Sequence, residues 1–263
     1  MTQATRVVRG GSGVPLVLIH GVGLDLGMWD ELAQALTGTC EVVRYDMLGH
    51  GATPLAGGRP DLDAYVRQLA AVIDSQGLQR PCVVGYSMGG LVAGRFAAQY
   101  PGKLSRLVLM STVFRRDGAE RQAVQARLRQ AEAGERAATA QISIDRWFSP
   151  AFRRACPERV TAFRRRLLAN RQADFLAAYR LFAAGDEALP ESAPRIECPT
   201  LVMTGALDPG STPRMAAELA AAVPHAVLDV VAEQRHMLPV EAAPRVAAAL
   251  RAFLGGDAGA PMA

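Results

Sequence analysis

Six short apolar runs set the limits on what this chain can become: VPLVLI (14–19), EVVRY (41–45), PCVVG (81–85), RLVLMS (106–111), PTLVMT (199–204) and AVLDVV (226–231). Their length is that of a strand, too short for a buried helix. Most are continuously apolar rather than alternating, so both faces of each must be buried, as in the interior of a parallel sheet. Parallel neighbours need crossovers, and helical patterns lie between the runs at about 29–37, 61–76, 88–99, 212–222 and 242–254. Strand and helix in alternation predict an α/β fold, a mostly parallel sheet with helices on both faces. Thr212-Pro213 reads as an N-cap followed by proline in the first helical position.

The alternation stops between 113 and 195. That stretch holds helical patterns rich in Ala, Arg and Gln and no convincing strand, and it is too long for a loop. The strand PTLVMT follows it, so it interrupts a domain rather than succeeding one. The expected organisation is a core of 1–112 and 196–254, a helical lid of 113–195, and a flexible tail at 255–263, GGDAGAPMA.

Composition narrows the function. Half of the 263 residues are hydrophobic, enough for one large core. The net charge of +4 is carried by arginine, Lys103 being the single lysine. Much of the arginine lies among acids and alanines in 115–180, the pattern of a solvated helical surface, and no basic block interleaved with aromatics points to nucleic acid. Cys40, Cys82, Cys156 and Cys198 are far apart with no CxxC pair, which fits reduced thiols better than disulfides or zinc. No signal-like N-terminal stretch and no membrane-length apolar run is present, so a cytoplasmic monomer or homodimer is expected.

The sharpest motif is VVGYSMGGL at 83–91. Gly85-x-Ser87-x-Gly89 follows an apolar run and precedes the helical pattern LVAGRFAAQY, the strand–turn–helix setting of a nucleophile elbow. The turn is so tight that the residues two away on either side must be small. A serine hydroxyl also needs a base, an acid to orient that base, and donors for an oxyanion. The chain order that accompanies such an elbow is serine, acid, histidine. His236, in a loop after AVLDVV, is the expected base, whereas His225 precedes that run and falls on the opposite sheet edge. Asp208, after PTLVMTGAL, is the expected acid, with Asp117 the alternative. The backbone N–H groups of Met88 and Val22 are the expected oxyanion donors. His20 and His50 read as braces for their own turns. Such chemistry needs no cofactor and no metal.

The segments LIHGVGLDLGMW, RYDMLGHGAT, VVGYSMGGLVA, TLVMTGALDPGSTP and RHMLPVEAAP, in that order, resemble the α/β-hydrolase fold family over nearly the full chain. The resemblance implies that Ser87, Asp208 and His236 form its triad and that the lid follows the sixth strand of the usual family order. Only about 13 residues precede VPLVLI, room for one short strand near 5–9, so seven strands are expected where the family usually has eight. The family's common DxRGHG turn is DMLGHG here, with Met47-Leu48 in place of the arginine. SMGG together with RWFSPAF is most similar to the 3-oxoadipate enol-lactonase group, which hydrolyses a small anionic lactone in aromatic catabolism. Trp147 and Phe148 are expected to wall the pocket, Arg146 to meet a substrate carboxylate, and Met237 to add apolar lining. The predicted activity is hydrolysis of a small carboxylic ester or lactone through an acyl-enzyme. Cleavage of a diketone carbon–carbon bond or an amide by the same residues is the alternative, ahead of acyl transfer or a non-catalytic ligand receptor.

Overall fold

The computed structural model describes residues 4–55 and 58–256. The expected tail beyond 256 lies outside the described residues. Among the described residues seven strands form one sheet: β1 (Val7–Gly11), β2 (Val14–Ile19), β3 (Cys40–Tyr45), β4 (Cys82–Tyr86), β5 (Arg106–Met110), β6 (Thr200–Gly205) and β7 (Ala226–Val231). Their spatial order is β1-β3-β2-β4-β5-β6-β7. All pairings are parallel except β1 with β3. Each of the six apolar runs has become a strand, and the short strand expected near 5–9 is β1, shifted by two residues.

The continuous apolar character of the runs has a direct structural reading. Side chains of a strand point alternately to the two faces, and here each face has its own core. Val17 and Ile19 of β2 join Val83, Leu107, Leu109 and Val202 in one cluster. Leu16 and Leu18 join Val84, Val108, Met110, Leu201 and Met203 in the other. Helices α1 (Asp30–Ala35), α2 (Leu62–Ser75) and α3 (Met88–Gln99) come after β2, β3 and β4 in turn, and α3 follows its strand directly. Asp61 caps α2 by accepting from the N–H of Ala64 at 2.7 Å.

Between β5 and β6 run six helices: α4 (Gly118–Glu132), α5 (Arg136–Trp147), α6 (Pro150–Ala155), α7 (Pro157–Ala169), α8 (Gln172–Ala184) and α9 (Ala188–Ser192). Asp117 and Glu120 form a reciprocal capping box that starts α4. The insertion packs into both cores, Val124, Leu128 and Tyr179 in the first and Ile144, Trp147 and Phe163 in the second. The bare surface of Gly94 on α3 admits Leu189 of α9, whose Cδ2 lies 2.3 Å from where a Cβ would stand. The chain closes with α10 (Pro213–Ala222), α11 (Leu238–Glu241) and α12 (Ala243–Gly255). Thr212 caps α10 through Oγ1, which accepts from the Met215 N–H at 3.3 Å. No helix among the described residues is long and apolar enough to cross a membrane.

Candidate active site

In a parallel sheet the loops leaving β2, β4, β6 and β7 all emerge at one edge, and these loops carry His20–Asp25, Ser87, Asp208 and His236. Ser87 sits between β4 and α3 with φ 53° and ψ −117°, a conformation that costs a non-glycine residue energy. The turn is clamped on all sides. The Ser87 N–H donates to the Met110 carbonyl at 2.9 Å, and the Ser87 carbonyl accepts from Thr112 Oγ1 at 2.8 Å. A side chain at Gly85 would stand 2.3 Å from the Gly89 carbonyl oxygen, and one at Gly89 would stand 2.5 Å from that of Ile19. The elbow is therefore closed to anything larger than glycine at both positions.

His236 Nε2 lies 3.3 Å from Ser87 Oγ, and His236 Nδ1 lies 2.7 Å from Asp208 Oδ2. The first contact is at the loose end of hydrogen-bond reach, and such contacts tighten around a bound substrate. Asp208 Oδ1 accepts from the N–H groups of Gly210 at 2.8 Å and Ser211 at 3.0 Å. Those two donors hold the carboxylate so that Oδ2 faces the imidazole. The ring itself is held between two aromatics: Tyr86, 5.1 Å away between centroids, and Trp147, 6.3 Å away and nearly parallel. The other candidates lie elsewhere. Asp117 is spent on the cap of α4, and His225 is exposed.

The loop after β2 passes directly over the serine, since a Cβ on Gly21 would be 3.1 Å from the Ser87 Cβ. The N–H groups of Val22 and Met88 have no acceptor among the described residues; Met88 begins α3, where an orphan donor is expected. His20 is fully buried. Its Nε2 accepts from the Met47 N–H at 2.9 Å, which leaves Nδ1 to donate to the Gly21 carbonyl at 2.8 Å. Asp46 adds a brace, accepting from the N–H groups of Leu26 and Ala52, each at 2.8 Å. His50, also buried, places Nδ1 3.0 Å from the Leu48 carbonyl.

Burial holds both of these histidines neutral: the pKa of His20 is lowered from 6.5 to about 4, and that of His50 to about 3. The unfolded chain binds these protons near pH 6.5 and the folded chain does not, so acid favours unfolding. The expected result is a fall in unfolding free energy from about pH 6.5 downward, with a slope approaching ~1.4 kcal/mol per pH unit per histidine. Urea midpoints measured between pH 7 and 4.5 check it. Replacing His50→Asn halves the slope, and a flat profile between pH 6.5 and 5 contradicts the neutral, buried assignment.

Above Ser87 lies a cavity bordered on the core side by Val22, His236, Gly210 and Ser211, and roofed by α4, α5, α7 and α8. Arg146 and Trp147 border it, as expected. Phe148 and Met237 do not. The Phe148 ring turns away to pack on Phe152 and Phe163, at 5.3 and 5.4 Å, and is wholly buried. Met237 sits behind His236, its sulfur accepting from the Tyr86 hydroxyl at 3.0 Å. Both belong to the core because the chain reverses just there: the Met237 N–H donates to the Trp147 carbonyl at 3.1 Å.

Besides Arg146, the roof holds two arginines that the sequence did not single out, Arg116 and Arg127. Arg116 is paired with Asp186 at 2.6 Å, so its charge is compensated. Arg127 and Arg146 border the same cavity and form no ion pair among the described residues. Arg127 Nε reaches only the Tyr179 hydroxyl, at 3.3 Å. Arg146 lies across Gly210, its Nη2 being 2.3 Å from where a Cβ would stand. Its pKa is lowered by burial, and Arg127 adds repulsion.

The alpha/beta hydrolase family model matches residues 16–249. Among curated relatives, (E)-2-((N-methylformamido)methylene)succinate hydrolase of Acinetobacter baylyi is 30% identical over 245 residues, covering 93% of this chain and 91% of that one. 3-Oxoadipate enol-lactonase 2 of the same organism is 27% identical over 226 residues, covering 86% and 83%. The solved structure of the enol-lactonase from Burkholderia xenovorans LB400 superposes with a TM-score of 0.87 at 24% identity, covering 96% of both chains, which shows a shared fold.

Proposed function

The chain belongs to the alpha/beta hydrolase family, and we propose that it is a serine hydrolase that cleaves a small carboxylate-bearing ester or lactone through an acyl-enzyme. The observation that carries the reading is the hydrogen-bonded line from Ser87 through His236 to Asp208 at the end of a strained elbow. His236 Nε2 takes the Ser87 proton as Oγ attacks the carbonyl carbon. The N–H groups of Val22 and Met88 receive the oxyanion, each donor being worth roughly 2.7–4 kcal/mol of transition-state stabilisation. Asp208 holds the Nδ1–H tautomer and stabilises the imidazolium. The leaving oxygen departs with the proton from His236, and water, deprotonated by the same nitrogen, then releases the acid. Helices α4–α9 act as the lid that excludes bulk water and selects the substrate.

Arg127 and Arg146, which form no ion pair among the described residues, repel each other across one cavity, and a carboxylate between them relieves that repulsion while gaining charge-assisted hydrogen bonds. This favours an anionic acyl group over a neutral ester, as in the enol-lactonase relative. A second reading draws on the other relative, whose name describes a formamide on a substituted succinate. The same groups would attack an amide carbonyl, with His236 protonating a leaving nitrogen instead of an oxygen. Side-by-side turnover of 4-nitrophenyl acetate, a carboxylate-bearing enol-lactone and a formamidomethylene succinate separates the readings. Arg146→Met should lower kcat/KM for the carboxylate-bearing substrate by roughly 10- to 150-fold, the value of a hydrogen bond to a charged group of about 1.5–3 kcal/mol. Turnover of 4-nitrophenyl acetate should barely change. Equal losses on both substrates would refute carboxylate recognition by Arg146.

A further inference from the structure

The loop that carries the Val22 N–H is held by the inserted helices as well as by the core. We infer that Asn170, at the C-terminus of α7, is a positioning residue for this N–H; the inference rests on the serine-hydrolase reading above.

The connection runs through peptide planes. Asn170 Nδ2 donates to the Gly23 carbonyl at 2.8 Å. That carbonyl shares its planar peptide with the Leu24 N–H, which points the opposite way and donates to the Gly21 carbonyl at 3.2 Å. The Gly21 carbonyl in turn shares its peptide with the Val22 N–H. An amide on the insertion is thus joined to the oxyanion donor by two hydrogen bonds and two peptide groups aligned head to tail. Hydrogen bonds in such a chain polarise one another, so Asn170 both fixes the direction of the Val22 N–H and makes it a better donor. His20 anchors the core end of the same loop by donating to the Gly21 carbonyl.

The surroundings leave Asn170 little choice of conformation. Its Nδ2 also faces the Arg166 and Leu167 carbonyls at the end of α7, both at 3.1 Å. Gly23 has φ +76°, and a Cβ there would stand 2.9 Å from Leu167 Cδ2 and 3.1 Å from Phe175 Cε2, so the insertion lies flat on the loop. One turn earlier, Arg166 Nε meets Asp25 Oδ2 at 2.7 Å, with both side chains largely buried. The loop is gripped on either side of Leu24, and the enclosure of the substrate and the aim of an oxyanion donor depend on the same docked helix.

The test uses the full-length chain with Asn170→Ala, and with Asn170→Asp, which keeps the size but cannot donate to the Gly23 carbonyl. Kinetics with 4-nitrophenyl acetate are compared with inhibition by a trifluoromethyl ketone, which forms a tetrahedral oxyanion on serine, and by succinate, which does not. The expected result is a fall in kcat of about tenfold to a hundredfold, less than the 10²–10³-fold loss of an entire donor. KM and succinate inhibition should stay within about twofold, and ketone affinity should weaken by the same factor as kcat. Unchanged kcat and ketone affinity in both variants would overturn the assignment. So would a parallel loss of succinate inhibition, because that reports a collapsed cavity. Parent turnover that persists in Ser87→Ala would instead count against the serine mechanism itself, so the two failures are distinguishable.

Discussion

Ser87→Ala is expected to lose about 10⁶-fold in kcat on an activated ester, as removal of the nucleophile does in other serine enzymes, and to lose all labelling by a fluorophosphonate. Its melting temperature should remain close to the parent's. The strained backbone at Ser87 is held by main-chain and neighbouring contacts: its N–H to Met110, its carbonyl to Thr112 and Gly90. The hydroxyl contributes only the contact with His236 at 3.3 Å. Alanine keeps the backbone and its strain, of the order of 1–3 kcal/mol. Ser87→Gly should release part of that strain, and is therefore expected to be equally inactive and to melt higher than either. An inactive but more stable variant is what distinguishes a nucleophile elbow from a structural turn. Turnover retained in both variants, for example by His236 activating water directly, would refute the acyl-enzyme route.

The sheet was legible because its strands obey one rule that leaves a plain trace. A strand buried on both faces must be apolar throughout; all six runs became strands, and the interior ones carry a separate core on each side, whereas Leu228 and Val230 of the edge strand β7 are exposed. The elbow was legible because its geometry excludes side chains: Gly85 and Gly89 stand against backbone oxygens at 2.3 and 2.5 Å. Asp208 and His236 were picked out by their place after strands, since loops leaving parallel strands converge on one edge, and the structure brings both beside Ser87.

The inserted helices were legible only as an absence of strands. Their sequence is rich in Ala and Arg, and a weakly amphipathic helix does not say which of its arginines faces solvent. Arg146 was picked out only by its place beside Trp147; Arg127 looks in sequence like its exposed neighbours, and only the packing of α4 against α8 turns it toward the cavity. The same difficulty explains Phe148. Beside Trp147 in sequence, it lies on the far side of the helix end and fills the core. Asn170 carried no signal at all, because its role is set by a carbonyl 147 positions away in the chain.

Asp208→Asn tests the other half of the site, and its outcome follows from which atom faces which. Asp208 Oδ1 accepts two backbone N–H groups, from Gly210 at 2.8 Å and Ser211 at 3.0 Å. Those donors require an acceptor, so in the asparagine variant the amide oxygen takes that position and the NH₂ group turns toward His236 Nδ1. The imidazole must then accept at Nδ1 and carry its proton on Nε2. In that tautomer the nitrogen 3.3 Å from Ser87 Oγ is a donor and cannot take the serine proton. The expected cost is about 10⁴-fold in kcat with KM little changed, the size of a tautomer error in an otherwise intact site. Fluorophosphonate labelling should slow by a similar factor without vanishing, because Ser87 is still present. Asp117→Asn should leave both measurements near the parent's, since that carboxylate is exposed on the cap of α4. If Asp208→Asn kept activity within tenfold of the parent while Asp117→Asn did not, the acid would have to be reassigned.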